Sequence, residues 1–294
     1  VNILQTVNKM KDFDVFLRNI LTDKKRILIL SIGGGNDYIG AYSIAKWISK
    51  LYPGIDLILA SSIEIKGEYK PLTKINDHLF TIEDFLPEFD FEIKNHSIRL
   101  IAQGIKNETM NLPYFVAINN DKPEKIKLAY QELFDKVMPD CIFTVDNGGD
   151  SITGGLEGVN GFDQNNLQAL IEMEKQFHHL VIGPGCDGES SIEDFNECIL
   201  TQLENFRGIF DIGKTFDLIY TNVKHNSEVM LEMDHRWSTM RIIFEAIQKV
   251  KQGFGDELFT VPRHNKNQKI PFNILQSVLV FCYNYEISID SIQT

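Results

Sequence analysis

Three short apolar runs in this chain each break into a loop of glycines and carboxylates. Residues 27–32 lead into Gly33-Gly34-Gly35-Asn36-Asp37, and residues 141–145 lead into Asp146-Asn147-Gly148-Gly149-Asp150. Residues 180–182 lead into Gly183-Pro184-Gly185-Cys186-Asp187-Gly188-Glu189. A stretch with helical character follows each loop. Parallel strands cannot be joined by tight turns and need crossover connections, usually helices, so this repeated order predicts a parallel sheet. All three loops then leave from the carboxyl edge, where open α/β sheets hold their ligands. Glycine lets backbone N–H groups approach a ligand closely, and the carboxylates add charge beside them. The pattern points to a small-molecule site and to an enzyme.

The rest of the chain suits the same class. Residues 3–22 carry Ile3, Leu4, Val7, Met10, Phe13, Leu17, Ile20 and Leu21 at mostly helical spacing. Strands are expected over 26–32 and 56–60, joined by a helix over 38–51 that Pro53-Gly54 stops. This βαβ unit of about 35 residues has the usual size of a crossover. Further helices are expected over 123–137, 163–177, 191–206 and 235–250, with a strand at 216–220. Residues 253–268 read as a polar loop and 271–282 as a last apolar helix. The stretch 61–120 holds Pro71, Pro87 and Pro113 and candidate strands at 89–93, 96–101 and 114–118. It reads as an inserted cap or small subdomain. The expectation is one α/β domain over 1–294, a Rossmann-like three-layer sandwich with a mostly parallel sheet.

A net charge of -12 argues against a broad nucleic-acid surface, which needs clustered Lys and Arg. Cys141, Cys186, Cys198 and Cys282 form no C-x-x-C pair and read as reduced core or loop residues. No apolar run approaches the roughly 18 residues of a membrane span, and no signal core is evident. A cytoplasmic protein with a small-molecule ligand is expected, as a monomer or a homodimer, without nucleic-acid or membrane partners.

The first loop meets neither nucleotide fingerprint. The dinucleotide motif needs a third glycine where Tyr38 stands, and the P-loop needs Lys-Ser/Thr where Ala41-Tyr42 stand. What remains is a glycine loop opening a helix, with N–H groups and a partial positive charge for an anion. Gly33, Gly34, Gly35, Asn36 and Asp37 are its candidate binding residues, Asp37 doubling as a helix cap.

The second loop is more specific. Asp146 and Asp150 flank two glycines and can converge on one hard cation, Mg²⁺ or Mn²⁺, with Gly148 and Gly149 bringing backbone close to a ligand. Turn formation or the binding of sugar hydroxyls or an ammonium group are the alternatives. In the third loop Asp187 and Glu189 are candidates for a third ligand or a base. Cys186 precedes a helix, a setting that can activate a thiol. His178-His179 read as a helix end, and Asp234-His235-Arg236-Trp237 as a polar cluster at a helix start.

Taken together, the three loops, with Gly40-Ala41 and Gly155-x-Glu157, resemble a family catalogued as domain of unknown function 1152, found in bacteria and archaea. The likeness runs from about Arg26 to the last expected helix over 271–282, and Asp-x-Gly-Gly-Asp with the later Gly-x-Glu is its most specific part. It implies an α/β fold and no established reaction. Gly34-Gly35-Asn36-Asp37 is also similar in flavour to the Gly-Gly-Asp loops of phosphofructokinases, which hold phosphates and Mg²⁺. Asp146–Asp150 resembles in outline the Asp-Gly-Gly-Asn-Glu loop of the glutamate cyclase family.

The leading expectation is divalent-metal-assisted phosphoryl transfer or hydrolysis on a nucleotide or phosphorylated metabolite. In that reading the amides of Gly33 to Gly35 hold phosphate, and Asp146, Asp150, Asp187 and Glu189 carry metal and chemistry. Two alternatives stay open. One is a lyase or hydrolase on an amino-acid-like substrate with Asp or Glu as general base. The other is a non-catalytic nucleotide-binding module.

Overall fold

The computed structural model describes residues 11–33, 37–63, 73–81, 114–117, 123–155, 161–186, 188–211, 239–253, 258–263, 266–273 and 279–285. The chain is α/β and Rossmann-like, with helices alternating with strands of a mostly parallel, mixed sheet. Its described residues divide into two compact units. The first draws on Val1–Thr22, Asp146–Gln164 and His179–Asn284, the second on Asp23–Val145, Asn165–His178 and Tyr285–Thr294.

The second unit is built on β2 (Arg26–Ser31), α2 (Asp37–Leu51), β3 (Asp56–Ile63) and β6 (Tyr114–Ala117). It also holds α3 (Pro123–Val137) and most of β7 (Cys141–Asn147). Strand β2 pairs in parallel with β3 on one side and β7 on the other, and β6 pairs in parallel with β3. Two short antiparallel strands, β5 (Leu79–Thr81) and β4 (Thr73–Lys74), extend the edge beyond β6. The described part of 61–120 therefore widens the sheet. The stretches 89–93 and 96–101 lie outside the described residues.

Ile27, Leu28, Ile29 and Leu30 are all buried, as expected of a central parallel strand covered on both faces. Helix α2 covers it with Tyr38, Ala41, Ile44, Ala45 and Ile48, and α3 buries Ile126, Ala129, Tyr130, Leu133, Phe134 and Val137, both at helical spacing. At the amino edge the Asp140 carboxylate accepts the N–H groups of Lys25 and Arg26 at 3.0 and 2.8 Å. Those bonds, that of Arg26 first, hold its carboxyl below the usual range. From β2 the chain steps outward to β3 and β6, then returns through α3 to β7 on the other flank. The direction of winding reverses between β2 and β7, which is the switch point where open α/β sheets form their crevice.

In the first unit β9 (Phe206–Asp211) pairs in parallel with β1 (Lys11–Asp12) and antiparallel with β12 (Leu279–Tyr285). Helix α1 (Phe13–Leu21) is capped by Asp12, which accepts from the N–H groups of Asp14 and Val15. It buries Phe13, Leu17 and Leu21, and the rings of Phe13 and Phe16 lie 5.9 and 4.5 Å from that of Phe210. Helix α7 (Thr239–Lys251) buries Met240, Ile242, Ile243 and Phe244.

Several expected boundaries change. Helix α5 (Phe162–Ile171) stops before Phe177, which instead opens strand β8 (Phe177–Ile182). Helix α6 (Ile192–Thr201) ends in a turn at Gln202, and Phe206 begins β9. The expected loop over 253–268 and helix over 271–282 are overturned. An antiparallel hairpin, β10 (Leu258–Arg263) with β11 (Lys266–Asn273), stands there, followed by β12. A continuous apolar run such as 279–283 has no period to separate a buried strand from a helix, and its pairing with β9 decides. The strand expected at 216–220 and the start of the helix expected at 235 lie outside the described residues.

Candidate functional site

The first glycine loop belongs to the second unit. It leaves β2 beside the end of β7. Ser31 stands opposite Val145 there, and the Ile32 N–H donates to the Val145 carbonyl at 3.1 Å. Gly33 is buried, Asp37 opens α2 and is buried, and Gly34, Gly35 and Asn36 lie outside the described residues. Tyr38 follows with its ring against Phe115, and burial pushes its phenol pKa well up. Two hydroxyl clusters sit deeper. Ser31 Oγ donates to Ser61 Oγ at 2.8 Å, and Tyr130 Oη joins Ser62 at 2.7 Å while donating to Asn166 at 2.6 Å.

The second and third loops belong to the first unit and are bonded to each other. The Gly148 N–H donates to the Ile182 carbonyl at 2.9 Å, and the Gly185 N–H to the Gly148 carbonyl at 2.6 Å. Gly148 and Gly149 both have positive φ, 106° and 96°. At Gly149 a side chain has no room, because an added Cβ would lie 2.5 Å from Phe195 Cζ and 2.7 Å from Val181 Cγ1. These glycines bring β7, β8 and α6 together at the loop, and their own N–H groups bond to protein.

Asp146, fully buried, is the centre of the second loop. Its Oδ1 accepts the Gly149 N–H at 3.2 Å, and its Oδ2 accepts the Ser151 N–H at 3.1 Å together with the Ser151 hydroxyl. It thereby closes the amino end of the one-turn helix α4 (Asp150–Thr153). Ser151 Oγ also lies 3.1 Å from Nε2 of His179, which comes from the middle of β8 and is completely buried. When Asp146 is ionised it can only accept, and then the hydroxyl proton goes to Asp146 and the imidazole Nε2–H donates to Ser151. Burial pushes the His179 pKa down to about 3, which keeps the ring neutral. Its neighbour His178 lies with its ring 5.3 Å from Phe143. Both histidines are strand residues.

A second carboxylate meets Asp146 inside this unit. Asp163, in the first turn of α5 and half-buried, places a carboxylate oxygen within 4.8 Å of one from Asp146. Paired hard oxygen donors of this kind can hold a hard divalent cation. Asp150 begins α4 and is half-buried, as is Glu189 in the third loop, while Asp187 and Glu157 lie outside the described residues. Thr153 Oγ1 bonds Ser190 Oγ, and Ser191 and Asp194 form a reciprocal cap on α6, so both loops end in anchored helices. The Cys186 side chain is fully buried, and burial raises the thiol pKa of Cys198, and that of Cys141 to about 12. Cys141, Cys186 and Cys198 form no disulfide.

Two partners of Asp146 escaped the sequence reading. Asp163 reads as an ordinary acidic first turn, and the His178-His179 pair carries no strand signal that separates it from a helix end. Among the described residues no helix is long and apolar enough to cross a membrane.

No family model matches the chain, and no curated protein matches it. Among solved structures it is similar to an N,N'-diacetylchitobiose deacetylase from Pyrococcus horikoshii complexed with its inhibitor MPG. Identity is 14%, the TM-score is 0.31, and the match covers 54% of this chain and 56% of that one. The chain thus spans about half the length of that protein.

Proposed function

We propose that the chain is an enzyme using a divalent cation, Mg²⁺ or Mn²⁺, held by Asp146 and Asp163. The proposed reaction is hydrolysis or phosphoryl transfer on a phosphorylated small metabolite or nucleotide. The observation that carries this reading is the approach of the two carboxylates to within 4.8 Å, one of them fully buried. Two negative charges at that distance in a poorly hydrated place repel, and a cation between them turns repulsion into attraction. When bound, such an ion supplies Lewis acidity toward an anionic oxygen or a water. The chain's own part is to hold Asp146 rigidly, through three donors on one carboxylate, and to keep the loop dry under Val181 and Phe195.

Electron paramagnetic resonance of Mn²⁺ titrated into the protein tests the reading. The unaltered chain should bind, and Asp146→Asn and Asp163→Asn should each lose most of that affinity while melting cooperatively. A thermal-shift screen of nucleotides and sugar phosphates, with and without Mg²⁺, then finds the substrate class. A ligand at 100-fold its dissociation constant stabilises by about 2.7 kcal/mol. Absence of Mn²⁺ binding, or binding unchanged in both variants, refutes the proposal. Stabilisation by amino acids regardless of metal would favour the amino-acid-like substrate instead.

A further inference from the structure

We infer that His179 and Ser151 are positioning residues for Asp146, forming a two-step hydrogen-bond relay from β8 to the carboxylate; the inference rests on the cation reading above. The helix cap on α4 is already made by the N–H groups of Gly149 and Ser151. The Ser151 hydroxyl and the histidine behind it are additional to what a cap needs. A fully buried histidine is a costly way to fill a core position unless its polar atoms serve a purpose.

With Asp146 ionised, as a cation ligand must be, the relay has one consistent proton order. His179 Nε2–H donates to Ser151 Oγ, and Ser151 Oγ–H donates to Asp146 Oδ2. Donation into the hydroxyl oxygen polarises the O–H bond and strengthens its grip on the carboxylate. Oδ2 thus carries two donors from one residue, and rotating the carboxylate plane would break both. The ring is held in turn by its strand and by Tyr283 of β12, whose ring centroid lies 6.3 Å away. Partners behind a ligand that fix its orientation typically cost about 10- to 100-fold in metal affinity when removed.

The test is Mn²⁺ affinity by electron paramagnetic resonance in the full chain, with thermal melts on the same samples. Ser151→Ala and His179→Leu should weaken Mn²⁺ by about tenfold or more. His179→Gln, whose amide nitrogen can take the place of Nε2, should restore most of that loss. A purely structural role would lower the melting temperature and leave the affinity of the folded fraction unchanged. If His179→Leu does not fold, Ser151→Ala decides. Wild-type affinity in Ser151→Ala, with affinity lost in Asp146→Asn, overturns the relay and leaves the cation site standing. Glutamine no better than leucine at 179 also overturns the relay. Absence of Mn²⁺ binding by the unaltered chain overturns both readings at once.

Discussion

Replacing Gly149 by alanine should cost far more than a single methyl group suggests. The new Cβ would sit 2.5 Å and 2.7 Å from Phe195 Cζ and Cε1, and 2.7 Å from Val181 Cγ1. Phe195 is fully buried, as is Val181, so neither can swing away into solvent. Overpacking of this kind costs about 1–3 kcal/mol. The backbone at φ 96° adds about 1–2 kcal/mol for any residue with a Cβ. The sum is about 2–5 kcal/mol, a large share of the roughly 5–15 kcal/mol that holds a typical protein folded. Urea unfolding followed by circular dichroism reads it directly, with Gly54→Ala as the control. Gly54 meets nothing within 4 Å, so alanine there should be neutral or slightly stabilising. A double-mutant cycle with Phe195→Leu sharpens the test. Shortening Phe195 should cost less in the Gly149→Ala background than in the parent, by about 1 kcal/mol or more. An unfolding midpoint for Gly149→Ala within error of the parent would refute the packing described for this loop.

The same chemical change should act in opposite directions at two buried tyrosines. Tyr38 Oη has no hydrogen-bond partner among the described residues, so Tyr38→Phe should stabilise by up to about 1 kcal/mol; Tyr130 Oη bonds both Ser62 and Asn166, so Tyr130→Phe should destabilise by about 1–3 kcal/mol. Urea midpoints ordered the other way would contradict the two assignments. The buried His179 should also make stability depend on pH. Its folded pKa, about 3, lies below the ordinary 6.5, so the unfolded chain binds the extra proton. This group's contribution is therefore complete above pH about 6.5 and falls as the pH drops toward 3, a loss of about 2 kcal/mol by pH 5. Relative to the parent, His179→Gln should lose less stability between pH 7.5 and pH 5, and equal losses would remove His179 as the cause.

Much of the frame follows from local properties of the chain. The alternation of apolar runs with glycine loops and helical stretches predicts β2–α2–β3, and the start of α6 after β8. Hydrophobic period and the conformational freedom of glycine act over a few residues at a time, so they are legible without knowing the partners. Gly148 and Gly149 show this well, since Asn-Gly-Gly-Asp already announces a tight turn with positive φ.

Tertiary structure decides what such patterns leave open. The run 279–283 and the stretch 258–273 become strands because other strands are there to pair with, a choice invisible to local periodicity. Pairing also decides that the His178-His179 dipeptide lies in a strand, whose alternation turns His179 toward Ser151 and Tyr283. Asp163, which approaches Asp146 to within 4.8 Å, comes from a later helix and shares no local pattern with the loop. Sequence alone marked Asp146 as the residue to watch, because a carboxylate at a strand end before two glycines is a local signal. Its neighbours were set by the sheet and the helices packed on it, because a site is assembled by contacts between segments that share no local pattern.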